Sequence, residues 1–183
     1  MKSTIQLSLL LLALISLNLA AQTTQNCNND ALETAPASRF TINSDGTVTD
    51  TQTSLIWARC PQGLSGAACT DGTVASLTWL EALALNGTRP TSVPTGDTSG
   101  TDWRLPNVKE LQSLVERSCF NPAINEMVFP NTLPTSPGSS VFWSASPDAA
   151  DRFSAWGVSF SNGFVASDSR DVEPSVRLVR GGQ

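Results

Sequence analysis

Four cysteines, Cys27, Cys60, Cys69 and Cys119, stand behind an export leader, and the pair of facts limits the chain more than anything else in it. The N-terminus runs Met1-Lys2-Ser3-Thr4, then an apolar stretch from Ile5 to Leu19, then Ala20-Ala21-Gln22. A short basic start, an apolar run too short to span a bilayer comfortably and small residues at its end mark a cleaved signal peptide over residues 1–21. A retained anchor is the competing reading, and Gln6, Ser8 and Ser16 weaken it by interrupting the run. A lipoprotein needs a cysteine directly after the small residues, and the first here is Cys27. No later segment is long and apolar enough to cross a bilayer, so no membrane span is expected after signal removal. The expected address is secreted, periplasmic or on the outer cell surface.

An even number of cysteines in an oxidising compartment reads as two disulfides, with three pairings open. Cys60 and Cys69 bracket a short loop rich in Gly and Ala and are expected to staple it. That leaves Cys27 to bridge to Cys119, a long closure worth ~4 kcal/mol in the chain-entropy view. A four-cysteine metal site is the alternative, but no C-x-x-C pair is present to build one.

Charge and missing residue types exclude several functions. The 183 residues hold 11 Lys and Arg against 16 Asp and Glu, and no basic run, so nucleic acid is not an expected partner. There is no His, which removes zinc–histidine sites, Ser-His-Asp triads and Cys-His pairs. There is no Tyr, so five Trp and seven Phe supply the aromatic surface.

Residues 22–38 are polar and read as a flexible N-terminal segment ahead of one domain, 39–183. Asp45-Gly46 between β-formers predicts a hairpin, followed by a strand over 54–60. Thr78 with Glu81 forms a capping box, with Gly87 as a stop, and predicts a helix over 78–85. Asn107 with Glu110 starts a second, in which Val108, Leu111, Leu114 and Val115 form one buried stripe. Residues 86–102 read as a surface loop and 120–140 as an irregular segment. Strands are expected at 141–144, 153–160, 164–167 and 175–179, with Asn162-Gly163 as a tight turn. Two early helices and a late antiparallel sheet give an α+β class.

The ordered motifs Asp45-Gly46-Thr47-Val48-Thr49-Asp50, Leu55-Ile56-Trp57, Trp79 to Ala82, Trp103 to Leu111, Phe129-Pro130-Asn131-Thr132, Phe142 to Pro147 and Val176 to Gly181 resemble the Lcl C-terminal domain family. That family includes the globular C-terminal domain of a bacterial collagen-like adhesin. The resemblance covers roughly 39–182. It implies a C-type-lectin-like fold, two helices packed on a twisted antiparallel sheet, and a binding or adhesion role toward a glycan or surface protein. It also implies that the last hairpin carries the ligand face. The chain departs from the family at Ser54, Ala145 and Asp171-Val172-Glu173-Pro174. It has no collagen repeat and no basic cluster, so recognition of sulfated glycan does not carry over.

Candidate binding residues follow from side-chain chemistry. Trp143, Trp156 and Phe164 could stack on sugar C–H faces, against the alternative that all three point inward from strands. In the hairpin from Ser161 to Asp171, Asn162, Ser167, Asp168, Arg170 and Asp171 carry groups that fix hydroxyls by hydrogen bonds. An ordinary solvated hairpin is the competing reading. Trp103-Arg104-Leu105-Pro106 reads as structural, with Arg104 bridging Asp102 or Glu110. Calcium is considered at Asp168 with Asp171 and at Asp97 with Asp102, but neither spacing matches a known loop, so no cofactor or metal is expected. Asp148 and Asp151 are the nearest thing to an acid–base pair, and they fall in a turn; no enzyme activity is expected. The alternative role is a structural or assembly subunit of an envelope structure, betrayed by an apolar patch or an unpaired strand edge.

Overall fold

The computed structural model describes residues 25–94, 102–132 and 140–181. The expected signal peptide, residues 1–21, lies outside them, as does Asp97. The chain begins with β1 (Asn26–Cys27), then β2 (Phe40–Ile42), β3 (Thr47–Asp50) and β4 (Leu55–Ala58). The small ribbon of β5 (Leu64–Ser65) and β6 (Asp71–Gly72) leads to α1 (Trp79–Ala84) and α2 (Val108–Gln112). Then come β7 (Cys119–Phe120), β8 (Val141–Pro147), β9 (Ser154–Ser159), β10 (Val165–Ser169) and β11 (Val179–Gly181).

The expected α+β, C-type-lectin-like arrangement of two helices on a twisted sheet is corrected by the structure, which is mostly β. Among the described residues eleven strands form four sheets, ordered β11-β4-β3-β2, β10-β9-β8, β1-β7 and β5-β6. Every pairing between strands is antiparallel. Both helix starts are real: Thr78 and Asn107 each close a capping box, with Glu81 and Glu110. The first helix fills its expected span, with Thr78 and Leu85 as its caps, whereas α2 stops after five residues. Gly87, at φ 80°, turns the chain out of α1. Beyond α2, Val115 forms a bridge with Ile124 instead of continuing the helix. Leu111, Leu114 and Val115 are buried all the same, so an apolar stripe at helical spacing is shared between one short helix and the turn after it.

The two larger sheets share their cores. Alternation along β8 sends Phe142 and Trp143 to opposite faces. Phe142 joins a cluster with Phe40, Trp57, Leu111, Phe129 and Phe160, and Trp143 joins another with Trp103, Leu105, Val176 and Leu178. Phe40 meets Phe129 edge-on at 5.3 Å, and Phe142 meets Phe160 at 5.2 Å. Residues 175–179 tie the sheets together. Ser175 bridges to Phe142, and Val179 pairs with Trp57. Trp103 is buried, and Arg104 bonds both oxygens of Glu110 at 2.8 Å, a structural clamp at the start of α2. The Asp45-Gly46 turn depends on its glycine. At φ 75° an added Cβ would collide with the Ser92 carbonyl.

Cys60 bonds to Cys69 inside a small buried cluster, and Cys27 bonds to Cys119 across β1 and β7. The segment after Cys27 is held by Glu116. This buried carboxylate accepts from the backbone N–H groups of Thr34, Ala35 and Ser118 and from the Ser118 hydroxyl.

Three carboxylates make the fold acid-sensitive. Burial pushes Asp50 up, but hydrogen bonds from Arg39, Thr53 and Gln52 outweigh it and hold it below its ordinary range. Glu110 and Glu116 are likewise raised by burial and lowered further by their donors, Arg104 and Asn107 for the first, Ser118, Ala35 and Thr34 for the second. A carboxyl lower in the folded than in the unfolded chain stabilises above its unfolded value, near pH 4, and loses that contribution as pH falls. Urea midpoints measured between about pH 6 and pH 3 should therefore fall steeply at the acid end. Glu116→Gln should flatten that fall; an unchanged slope would mean Glu116 does not carry it.

Candidate functional site

The β9–β10 hairpin is fixed at its turn by local chemistry. Gly163, at φ 77°, donates its N–H to the Ser159 carbonyl at 2.7 Å, and the Asn162 side-chain oxygen accepts from the Phe164 N–H at 3.1 Å. An added Cβ on Gly163 would press on Val115, so the turn also seats against the core. From there β10 runs antiparallel to β9 with Val165 opposite Val158 and Ser169 opposite Ser154.

The hairpin separates the residues expected to form one ligand face. Trp143 is not on the surface at all. It is 0% exposed, and its indole N–H is spent on the Leu77 carbonyl at 2.9 Å, because β8 is covered on both faces. Asn162 and Phe164 sit at the turn, with Phe164 70% exposed. Arg170 and Asp171 lie at the far end, about 20 Å from Phe164 along a strand rising ~3.3 Å per residue. Between them, alternation divides Ser167 from Asp168. Ser167 shares a face with the half-buried Trp156 and donates its hydroxyl to Asp148 at 2.6 Å. Asp168 lies on the other face, opposite Ala155, half-buried.

On that second face the structure assembles a compact group. The Arg170 guanidinium lies 4.2 Å from the centre of the Trp79 ring, and its Nε donates to the Ser154 carbonyl at 3.0 Å. Trp79 is held from two sides: its backbone N–H donates to the Arg170 carbonyl at 3.0 Å, and its indole N–H to the Ser144 carbonyl at 2.8 Å. Both side chains are half-buried, and Asp168 stands two residues before Arg170 on the same face. A stacked cation and indole beside a carboxylate offer an apolar plane, donors and an acceptor together. Sequence reasoning placed Trp79 only in a helix. The Thr78–Glu81 capping box fixes where the helix starts, but nothing local shows that this point meets a strand ninety residues on.

Asp148 and Asp151 are poorly suited to donate a proton. Asp148 is held below its ordinary range by the Ser167 hydroxyl and the Ala150 N–H, and Asp151 by the Phe153 N–H and the Ser154 hydroxyl. An acid catalyst needs a raised value, and neither has one. Burial does raise Glu126, which borders a cleft of about 420 Å³ beside the Cys27–Cys119 bridge, together with Gln25, Asn28, Glu33 and Glu116. Among the described residues no group of three His, Cys, Asp or Glu is placed to hold a metal ion, and no helix is long and apolar enough to cross a membrane.

A family model described as the Lcl C-terminal domain matches residues 46–180, a span that includes both larger sheets' central strands and the whole β9–β10 hairpin. No curated protein matches the chain.

Proposed function

The chain belongs to the Lcl C-terminal domain family, and from that premise we propose that it is an exported, non-catalytic binding or adhesion module for a glycan or a surface partner. The observation that carries this reading is the Trp79–Arg170 stack, with Asp168 two residues before Arg170 on the same strand face. Aromatic faces cover sugar C–H surfaces, while a guanidinium and a carboxylate fix hydroxyls by paired hydrogen bonds. Two disulfides suit an oxidising compartment outside the cytoplasm. Asp148 and Asp151, the pair considered for acid–base work, lack the raised member such a pair needs.

A glycan array probed with the mature chain, with and without calcium, is the direct test. Arg170→Lys keeps the charge but loses the planar stack, and Asp168→Asn keeps the shape but loses the charge. Each should weaken binding of the array hit by about tenfold, which is ~1.4 kcal/mol. Melting temperatures should move by no more than a few degrees. An array without any binder, or variants that bind as the parent does, would remove the glycan reading. The second reading, a structural subunit, draws on the exposed Phe153 and Phe164 at the two ends of the hairpin.

A further inference from the structure

We infer that the outer edge of β10 is a docking site for an extended, basic polypeptide segment, which would add to the β10-β9-β8 sheet as a further strand. The backbone pattern assigns the edge. At the two ends of the hairpin Ser159 donates to the Phe164 carbonyl at 2.8 Å and Arg170 donates to the Phe153 carbonyl at 2.9 Å. Antiparallel pairing alternates, so Ala166 and Asp168 between them turn their amides and carbonyls toward β9. Val165, Ser167 and Ser169 turn theirs away, and of these the Ser169 carbonyl already accepts from the Val172 N–H at 3.1 Å, so the open stretch is centred on Val165 and Ser167. Among the described residues β10 pairs only with β9.

Such an edge is normally blunted by proline, lysine, a bulge or a covering loop. Val165-Ala166-Ser167-Asp168-Ser169 has no proline or lysine, and its register with β9 runs without a shift. The opposite edge of the same sheet is closed, because Trp143 donates to the Ser175 carbonyl and Ser175 donates to the Val141 carbonyl. Small side chains along β10 leave room for an incoming strand, whose main chain would supply the hydrogen bonds.

Charge selects the occupant. Residues 148–173 carry five carboxylates, Asp148, Asp151, Asp168, Asp171 and Glu173, against Arg152 and Arg170. Both arginines are already drawn onto rings, Arg152 over Phe153 at 4.5 Å and Arg170 over Trp79 at 4.2 Å. A strand with lysine or arginine at alternate positions complements this surface. A second copy of the chain, with net charge −5, brings like charge to like. The site is backbone edge; it shares the charges of Asp168 and Arg170 with the Trp79 face but does not require that face to take a glycan.

The test is fluorescence anisotropy of a labelled, capped peptide alternating lysine and valine, titrated with the mature chain at low salt. Ser167→Pro is the diagnostic variant. It removes an amide that faces outward, so the β9 ladder keeps its bonds while strand addition is blocked. Ser167→Ala removes only the bond to Asp148. Binding should fall at least about tenfold in Ser167→Pro and stay within about twofold in Ser167→Ala. The same peptide with alternate amides N-methylated, or with glutamate for lysine, should not bind the parent chain. If Ser167→Pro fails to fold by circular dichroism, the N-methylated peptide decides alone. Equal binding by Ser167→Pro or of the N-methylated or glutamate peptide overturns the inference, as does no binding of the lysine peptide. Sedimentation showing a parent dimer that Ser167→Pro abolishes would assign the edge to a second copy and overturn it too.

Discussion

Arg177→Met is expected to lower the unfolding free energy by about 2–4 kcal/mol, read from urea or guanidinium denaturation. Arg177 is wholly buried, yet among the described residues it forms no ion pair with a carboxylate. Its guanidinium instead donates to the backbone carbonyls of Ala58 (2.8 Å) and Arg59 and to the Thr132 hydroxyl (2.9 Å). It lies 4.9 Å from the centre of the Phe129 ring and 5.8 Å from that of Phe142. Two effects oppose each other here. Burial pushes the group down to about 9, a real cost of holding a cation in the core, though it stays protonated at neutral pH. Against that, each acceptor stripped of its donor in a dry interior costs about 1–3 kcal/mol, and ring contacts add to the loss. Methionine fills much of the volume and relieves the buried charge, so it isolates the contest between the two. A variant as stable as the parent would mean that desolvation wins.

The position explains why the loss should be felt by both larger sheets. Residues 175–179 join the four-stranded sheet through Val179 to the three-stranded sheet through Ser175. Arg177 sits midway and laces that run to the end of β4. Freed carbonyls at Ala58 and Arg59 would loosen that junction between the sheets.

Much of this architecture was legible from local chemistry. Asp45-Gly46 and Asn162-Gly163 foretell their turns because only particular residues accept positive φ at low cost. Thr78 and Asn107 foretell helix starts because a side-chain oxygen must satisfy the first free N–H groups. The length of α2 was not legible. Val108, Leu111, Leu114 and Val115 keep a helical spacing, but burial rewards position and not conformation, and a turn delivers the last two to the core equally well. The same blindness affected Trp143. Strand alternation divides a strand into two faces but does not say whether one or both are covered, and here both are. The meeting of Trp79 with Arg170 lies beyond any local rule. It is made by the tertiary path that brings the start of α1 under the end of β10.

Replacing Cys27 and Cys119 together by alanine is expected to cost about 4–5 kcal/mol, against about 2–3 kcal/mol for the Cys60–Cys69 pair. The difference follows from loop size. The first bridge closes a separation of 92 residues and the second a separation of 9, so the unfolded chain gains far more freedom when the first is removed. The native state changes as well. The Gln25 amide reaches the carbonyls of Pro122 and Ile124, and Thr34 and Ala35 donate to Glu116, all from a segment that Cys27 anchors. With the anchor gone these bonds can fray while the core stays folded. Glu116 then keeps only its Ser118 donors, and its carboxyl moves back up toward the ordinary range. A group whose folded and unfolded values converge contributes less pH dependence, so the acid limb of the stability curve should become shallower. Adding Glu116→Gln to the double-alanine chain should accordingly cost less than the same change in the parent, a coupling that a double-mutant cycle measures directly. Equal costs for the two bridges, or an additive cycle, would show that the N-terminal segment and Glu116 are held independently of Cys27.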